Sequence, residues 1–148
     1  FAVLLADDFL TDYAPGVTAD LVSAFEKTGN SQLSVMPVDE ANISQYGVII
    51  PSSDGQAVIG MVEKPRQDEA PSNLASIGRY ILTPDIFDTL RNLPVGSDGE
   101  IQLTDALNLH ARDGLLEAID LKGKRFDCGS VDGFMNASAY EYTKRLEN

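Results

Sequence analysis

Six consecutive apolar residues open the chain at positions 1–6, and Asp7 and Asp8 follow them directly. Because the run does not alternate with polar residues, it predicts a strand covered on both faces, as in the middle of a parallel α/β sheet. A strand of this kind needs neighbours on each side. Since the chain starts at Phe1 rather than at a methionine, we expect adjacent strands from residues N-terminal to it, and a sheet that is incomplete at this end.

Helix and strand patterns follow in mixed order and predict an α/β fold. An Asp-Gly pair within residues 52–55 separates two apolar segments, which is typical of a β-hairpin and makes the sheet mixed. Thr18 and Gly29 delimit a first helix, and Thr83-Pro84 begins a second. Two further helices are predicted from the residues on one face, which are Leu103, Ala106, Leu107 and His110 in one helix and Phe134, Ala137 and Tyr140 or Glu141 in the other.

Acidic side chains outnumber basic ones by 23 to 11, so the net charge at pH 7 is −12. A surface of this sign repels nucleic acid and anionic membranes, and we expect neither as a partner. The one cysteine and the one histidine exclude an internal disulfide and a histidine-rich zinc site. The sequence also lacks an apolar run of about 20 residues, and together these features predict a protein of the reducing cytoplasm.

Two acidic segments are candidates for a magnesium site. Asp7 and Asp8 lie at the carboxyl end of the opening strand, where open α/β sheets bind their ligands. Asp127 follows a cluster of cations that includes Lys124 and Arg125, and it precedes a helix start. Cations and a helix N-terminus attract phosphate, while Mg²⁺ is usually held by one or two carboxylates and by phosphate oxygens. The alternatives are a solvated loop after the strand and a hairpin with a solvated basic turn.

Glu63-Lys64-Pro65 ends a predicted strand and is a candidate clamp for a sugar phosphate. The glutamate would accept hydrogen bonds from sugar hydroxyls and the lysine would pair with the phosphate. Neighbouring strand residues face opposite sides, so the clamp requires the backbone to turn near Pro65, and a solvated Glu–Lys pair is the alternative. Gly47 would let the backbone approach a ligand closely, although a glycine of an ordinary strand or bulge fits equally.

Other familiar sites are missing from the sequence or are better explained by packing. Neither G-x-G-x-x-G nor G-x-x-x-x-G-K-[ST] occurs, which excludes the standard phosphate loops within these residues. His110 lies on the apolar face of its predicted helix and is expected to pack in the core. Cys128 is expected to be a reduced, poorly accessible thiol without a catalytic role.

Seven motifs occur in order along nearly the whole chain. They are Leu4-Leu5-Ala6-Asp7-Asp8, Tyr46-Gly47-Val48, Val62-Glu63-Lys64-Pro65, Ala70-Pro71-Ser72-Asn73-Leu74-Ala75, Gly78-Arg79-Tyr80, Gly99-Glu100-Ile101-Gln102-Leu103-Thr104-Asp105 and Lys122-Gly123-Lys124-Arg125-Phe126-Asp127-Cys128-Gly129. This series closely resembles the bacterial UTP:glucose-1-phosphate uridylyltransferases, also called UDP-glucose pyrophosphorylases. In the related thymidylyltransferases a threonine usually stands at the position of Cys128, which favours the uridylyl family.

The resemblance implies a three-layer α/β/α fold of the nucleotide-diphospho-sugar transferase type with a mixed sheet. It implies a reaction of UTP with glucose 1-phosphate that gives UDP-glucose and pyrophosphate, with Mg²⁺ as cofactor. Residues 1–148 would then form the sugar-phosphate and metal-binding part of a single catalytic domain. The family's N-terminal glycine-rich nucleotide loop is not present in this sequence.

The resemblance also assigns roles to individual residues. Asp7 and Asp127 match the metal-holding aspartates, and both are expected to be catalytic. Gly47 and Glu63 match sugar contacts. Lys64 matches the lysine that faces the sugar-linked phosphate, and it is also expected to be catalytic. We expect two further substrate contacts, which are Asp8 and Lys124.

The expected partners are a sugar phosphate, a uridine nucleotide and further copies of the chain in a homo-oligomer. Because an exposed strand edge is usually covered by another chain, residues 1–148 alone are expected to associate, to lack UDP-glucose synthesis and to bind UDP-glucose only weakly. The alternatives are a thymidylyltransferase-type enzyme and a non-catalytic acidic binding or assembly domain. Carboxylates of Asp7 and Asp127 on opposite faces of the sheet would exclude the enzyme.

Overall fold

A mixed sheet of six strands forms the centre of the computed structural model, which describes residues 1–55, 57–96 and 99–147. The strands are β1 (Ala2–Leu4), β2 (Asp8–Thr11), β3 (Ser31–Pro37), β4 (Gly47–Pro51), β5 (Val58–Glu63), β6 (Leu74–Ile81), β7 (Leu116–Asp120) and β8 (Lys124–Asp127). The helices are α1 (Val17–Thr28), α2 (Ile86–Asn92), α3 (Leu103–Arg112) and α4 (Val131–Glu147), with 3₁₀ turns at Glu40–Gln45 and Gln67–Glu69.

The strand order β5-β4-β6-β3-β7 makes the sheet mixed, as the sequence predicts. The pair β3–β7 runs parallel, whereas β3–β6, β4–β5 and β4–β6 run antiparallel. Strand β1 pairs antiparallel with β6, and β2 pairs with β8 in a separate ribbon. The sequence predicts a loop from Leu93 to Gly99, and positions 97 and 98 of this range lie outside the described residues.

Helices cover both faces of the sheet and bury two apolar clusters. On one face Leu21 of α1 packs with Ile81 of β6. On the other face Ile86 of α2 and Leu107 of α3 pack against Leu33 of β3. The predicted three-layer α/β/α arrangement is therefore confirmed. No helix in the described part of the chain is long and apolar enough to cross a membrane.

The predicted C-terminal end of α1 is confirmed, whereas the predicted starts of α1 and α2 are not. Gly29 ends α1 with a φ of 74°, as expected for a C-terminal glycine. The predicted start at Thr18 is wrong, because Gly16 is the N-cap and the helix begins at Val17. Helix α2 begins at Ile86 rather than at Pro84, since a turn precedes it.

Helix α4 departs from its predicted apolar face. Ala137 is buried, but Phe134 is 58% exposed. The reason is that α4 packs along the β2–β8 ribbon instead of the central sheet, with the rings of Tyr140 and Phe126 5.2 Å apart. Ser130 does cap this helix, since its Oγ accepts a hydrogen bond from the Gly133 N–H at 3.1 Å.

The opening strand is partly uncovered in this structure, as expected for a sheet that is incomplete at this end. Phe1, Leu4 and Leu5 are 46%, 55% and 45% exposed, and among the strands of the described residues β1 pairs only with β6. An edge strand has one neighbour and leaves part of its surface uncovered, whatever the apolarity of its side chains. Val3 is the residue of β1 that packs against the core.

The hairpin of β4 and β5 is locked to α3 by one side chain. Asn108 accepts a hydrogen bond from the Met61 N–H at 2.6 Å and donates one to the Met61 carbonyl at 2.8 Å. The Asn108 amide therefore pairs with both the N–H and the carbonyl of Met61. These groups lie on the side of β5 away from its ladder partner β4. Because Thr104 lies four residues earlier on the same face of α3, this contact also places Thr104 beside the end of β5.

Candidate active site

A cavity of about 320 Å³ opens where the start of β4 and the end of β5 meet the β2–β8 ribbon and the middle of β6. We call it the acidic cavity. All but one of the predicted site residues line it, together with residues that the sequence analysis did not select. The predicted ones are Asp7, Asp8, Gly47, Glu63, Lys64 and Asp127.

Asp7 and Asp127 lie on the same side of the sheet, next to each other. A Cβ built on Gly129 would lie 3.2 Å from a carboxylate oxygen of Asp7 and 3.1 Å from one of Asp127. The backbone brings them together, because the Cys128 N–H donates to the Asp7 carbonyl at 2.7 Å. The absence of a side chain at Gly129 leaves the space between the two carboxylates open.

This pair fits Mg²⁺ by its donor set. Magnesium prefers carboxylate oxygens and is commonly held by one or two of them, with substrate phosphates and water completing the shell. Within the described ranges, no third histidine, cysteine or acid joins the pair to form a protein cluster that could hold a metal ion. Two carboxylates facing an open cavity therefore suit a metal that is shared with a bound phosphate.

Glu63 and Lys64 line the same cavity although they are neighbours in sequence. Lys64 has a φ of 44°, in the left-handed region that residues with a side chain rarely adopt. The backbone therefore turns at Lys64 itself, one residue before the turn that the sequence suggested. The Lys64 N–H donates to the Tyr46 carbonyl at 3.0 Å and holds the turn in place. Glu63 accepts a hydrogen bond from the Thr104 hydroxyl at 2.7 Å.

Gly47 lies opposite Glu63 in the β4–β5 ladder. A Cβ on Gly47 would lie 3.0 Å from the Glu63 carboxylate, closer than most real Cβ contacts. Glycine at this position therefore lets the Glu63 carboxylate lie over the strand instead of being pushed away.

Asp8 is buried, and both of its carboxylate oxygens have partners. One oxygen accepts a hydrogen bond from the Gly78 N–H at 2.8 Å, and the other forms an ion pair with Nε of Arg125. The Gly78 N–H faces Asp8 because β6 is irregular here, with Gly78 and Arg79 standing between residues that pair with β3. Asp8 thus acts on other protein groups rather than offering a free carboxylate to the cavity.

Arg125 lines the acidic cavity, and the sequence analysis did not select it. Its guanidinium contacts Asp8, donates to the Tyr46 hydroxyl at 3.1 Å and lies 3.2 Å from Asp127. Burial lowers the pKa of Arg125, but the charge of Asp8 and the hydrogen bonds to Asp8 and Tyr46 together outweigh it, so the pKa lies above its usual value. Alternation along β8 was the available signal, since Arg125 and Asp127 are two residues apart and so face the same side.

Lys124 is the predicted substrate residue that does not line the acidic cavity. It points to the opposite side of β8, where its ammonium lies 3.8 Å from the centre of the Tyr140 ring. The physical reason is again the two-residue period of a strand, which separates Lys124 from Arg125 and Asp127. The member of the cationic cluster that lines the acidic cavity is Arg125, and the substrate contact of Lys124 stays a prediction.

Tyr80 provides a neutral hydroxyl at the back of the acidic cavity. Burial raises the pKa of Tyr80, a hydrogen bond with the Ser76 hydroxyl at 3.2 Å opposes this, and the charges of Asp8 and Glu63 raise it further. Because the pKa lies above its usual value of about 10, the phenol stays protonated near neutral pH.

His110 and Cys128 do not line the acidic cavity. His110 is buried, with Nε2 3.2 Å from the Thr89 hydroxyl, so its predicted packing in the core is confirmed. Cys128 is half-buried and lines a separate groove of about 530 Å³ beside Phe9 and Phe134, so its thiol is more accessible than predicted.

A model of the family described as nucleotidyl transferase matches residues 1–144. Two curated relatives support the same grouping. A UTP–glucose-1-phosphate uridylyltransferase of Pseudomonas aeruginosa is 44% identical over 96% of this chain and 52% of its own length. UTP–glucose-1-phosphate uridylyltransferase 2 of Staphylococcus saprophyticus is 44% identical over 100% of this chain and 52% of its own length.

Solved structures agree with these relatives. An apo UDP-glucose pyrophosphorylase superposes with a TM-score of 0.92 at 45% identity and matches 98% of this chain and 55% of its own. A UDP-glucose pyrophosphorylase in complex with UDP-glucose gives a TM-score of 0.90 at 45% identity, over 97% of this chain and 56% of its own. The chain thus spans about half the length of the proteins that it matches.

Proposed function

Because this chain belongs to the nucleotidyl transferase family, we propose that it takes part in the transfer of a uridylyl group from UTP to glucose 1-phosphate. Residues 1–148 supply the sugar-phosphate and metal-binding part of the catalytic domain. The observation that carries this proposal is the convergence of Asp7, Asp127, Glu63 and Lys64 on one cavity from separate segments of the chain. The names of the relatives at 44% identity support the substrate pair.

The reaction needs positioning more than a protein base. A phosphate oxygen of glucose 1-phosphate attacks the α-phosphorus of UTP, a new P–O bond forms, and the bond to the β-phosphate oxygen breaks to release pyrophosphate. The nucleophile is already an anion, so no proton has to be removed from it. Holding two anions in line and offsetting their charge therefore provides most of the acceleration.

Different residues of the acidic cavity position the sugar and offset the charge of the phosphate. The Glu63 carboxylate is the acceptor for hydroxyls of the glucose ring, held in place by Thr104, and Gly47 leaves room for it. The Lys64 ammonium offsets the charge of the phosphate that joins glucose to the uridylyl group. The left-handed backbone at Lys64 is what directs both side chains to one ligand.

Asp7 and Asp127 are the residues that would hold Mg²⁺. The ion would offset negative charge on the phosphates when bound. The protein's own contribution is to fix two carboxylates at an open edge of the cavity, through the Cys128–Asp7 backbone contact and the bare backbone of Gly129.

The proposal extends to the cellular location, the partners and the oligomeric state of the enzyme. We place it in a bacterial cytoplasm, with small-molecule substrates rather than nucleic acid or membrane as partners, which a net charge of −12 supports. We further propose a homo-oligomer. Exposed apolar residues on β1 and α4 support it, among them Leu4 at 55% and Leu146 at 70% exposure.

The test uses the complete gene product, whatever its length, and measures pyrophosphate release from UTP with glucose 1-phosphate. Asp127→Asn should lower kcat about 100-fold, because it removes a charge from the place where phosphate charge is offset. Glu63→Gln should raise KM for glucose 1-phosphate about tenfold, since it weakens a charge-assisted hydrogen bond. Asp68→Asn is the matched control, an exposed aspartate paired with Arg66 away from the cavity.

Three outcomes would contradict the proposal. If Asp127→Asn were as active as Asp68→Asn, the metal and phosphate site would be wrongly assigned. Turnover with dTTP in place of UTP would favour a thymidylyltransferase. The absence of pyrophosphate release with both nucleotides would favour a non-catalytic binding domain.

A further inference from the structure

We propose that Arg125 is a positioning residue that orients the Asp127 carboxylate for metal binding, and that it does so as part of a chain of contacts running from Gly78 through Asp8. This inference rests on the function proposed above. It assigns to Arg125 and Asp8 a role in the geometry of the site, in place of direct contact with a substrate.

The guanidinium of Arg125 has three acceptors that fix its plane. Nε pairs with Asp8, Nη1 donates to the Tyr46 hydroxyl at 3.1 Å, and Nη2 lies 3.2 Å from Oδ2 of Asp127. The Tyr46 ring also lies 5.2 Å from the guanidinium carbon. Arginine suits such a place because its planar fork reaches several acceptors at once, which a lysine ammonium cannot reproduce.

The exposed fractions of the side chains distinguish a fixed pair, Asp8 and Arg125, from the carboxylate that this pair orients, Asp127. We call the fixed pair the anchor. The side chains of Arg125 and Asp8 are only 11% and 7% exposed, whereas that of Asp127 is 49% exposed. A buried carboxylate requires a charged partner, so the Asp8–Arg125 pair is the fixed part of the group. The Asp127 side chain is half in solvent, so its rotamer depends on the hydrogen bonds that its carboxylate accepts.

Asp127 is held from two sides. Oδ2 faces Arg125, and Oδ1 accepts a hydrogen bond from the Gly129 N–H at 3.1 Å. Each oxygen keeps a further lone pair, and Oδ1 lies on the side of Gly129 that Asp7 also approaches. The two contacts therefore present Asp127 toward Asp7 in one orientation.

The anchor itself is tied to the central sheet. Asp8 accepts a hydrogen bond at 2.8 Å from the Gly78 N–H, which the irregular pairing of β6 turns toward it. A Cβ on Gly78 would lie 2.5 Å from the Asp8 carboxylate, so glycine is required for this contact. Contacts from Gly78 through Asp8 and Arg125 to Asp127 thus connect β6 of the sheet to the proposed metal site on the β2–β8 ribbon.

The experiment measures Mn²⁺ binding without substrate, from the free-ion signal in electron paramagnetic resonance, and the thermal midpoint of the same samples. Arg125→Lys keeps the charge and loses the fork, so we expect the Kd for Mn²⁺ to rise about tenfold. Arg91→Lys is the matched control, the same substitution on an exposed arginine paired with Asp88, and its Kd should equal that of the parent.

Asp127→Asn separates the failure of this inference from the failure of the proposed function. If Asp127→Asn binds Mn²⁺ like the parent, the metal site of the proposed function is wrong. If Asp127→Asn loses binding while Arg125→Lys keeps it, the metal site stands and the positioning role is overturned. Loss in both, with Arg91→Lys unchanged, supports the inference.

Tyr46→Phe keeps the test decisive if Arg125→Lys folds poorly. It removes one acceptor of the guanidinium and leaves the ring, so we expect a rise in Kd of about threefold at an unchanged thermal midpoint. An unchanged Kd in Tyr46→Phe would overturn the inference. Asp8→Asn combined with Arg125→Lys should give no further loss than the stronger single variant, because both act through one chain of contacts.

Discussion

Because the backbone at Lys64 is left-handed, glycine at this position should give a more stable protein than alanine, the reverse of the usual order. A residue with a side chain pays about 1–2 kcal/mol at a φ such as the 44° of Lys64, and glycine does not. Glycine also loosens the unfolded chain, which costs about 0.4–1 kcal/mol. The difference between these effects makes Lys64→Gly more stable than Lys64→Ala by about 0.5–1 kcal/mol, although both variants lose the ammonium.

Urea unfolding of the two variants measures this difference directly, from the shift in midpoint at a common m-value. Arg66 supplies the matched control, because it is exposed, lies two residues away and has an ordinary φ of −64°. At Arg66 the order should reverse, with the glycine variant less stable than the alanine variant by about 0.4–1 kcal/mol. Comparison between the two positions removes effects of composition and of lost charge.

Both Lys64 variants should also lose activity in the complete protein to a similar extent, since neither carries the ammonium that we propose to face the phosphate. Stability and activity would then separate at one residue, as expected where strain serves a binding site. If Lys64→Gly were less stable than Lys64→Ala by as much as Arg66→Gly is below Arg66→Ala, the backbone at Lys64 would not be strained. The argument from its φ would then be refuted.

Three further substitutions test other parts of the structure. Gly78→Ala would place a Cβ 2.5 Å from both the Leu5 side chain and the Asp8 carboxylate, so thermal unfolding should show a loss of about 1–3 kcal/mol; an unchanged midpoint would contradict this close approach. Asn108→Ala removes both hydrogen bonds to the Met61 backbone and should cost about 1–2 kcal/mol in urea unfolding; an unchanged midpoint would show that these bonds do not stabilise the hairpin. Hydrogen bonds from Lys144 and then Tyr140 hold the pKa of the Asp12 carboxyl below its usual value, so this carboxylate stabilises the fold at neutral pH and the contribution disappears as the pH falls through the lowered pKa. Asp12→Asn should therefore be less stable than the parent at pH 7, with a difference that closes below about pH 4; a constant difference across that range in acid unfolding curves would count against it.

Much of the fold was predictable because its signals are local. The Asp-Gly pair indicated the β4–β5 hairpin, Gly29 indicated the end of α1, and the period of Leu103 and Leu107 indicated the buried face of α3. Each of these depends on residues a few positions apart, whose geometry is set before the rest of the chain packs. The prediction that failed for Phe134, a buried position, concerns what lies beside an element, which its own residues do not encode.

The site shows the same division. The sequence selected Asp7, Glu63, Lys64 and Asp127 from motif and chemistry, and the structure brings them to one cavity. It did not distinguish Lys124 from Arg125, because that choice depends on which face of β8 meets the ribbon and which meets α4. Register is a property of paired strands, and a shift by one residue exchanges the two faces.

The amino-acid sequence by itself determined the kinds of chemistry available: an acidic chain, a single cysteine and histidine, a Glu-Lys pair at a strand end and two separated aspartates. The tertiary structure decided which of these groups act together. The left-handed backbone at Lys64, the irregular pairing at Gly78 and the Asp8–Arg125 pair arise only when distant strands meet. Local geometry depends on neighbours in sequence, whereas the rotamer and charge state of a buried side chain depend on neighbours in space, and those exist only in the folded chain.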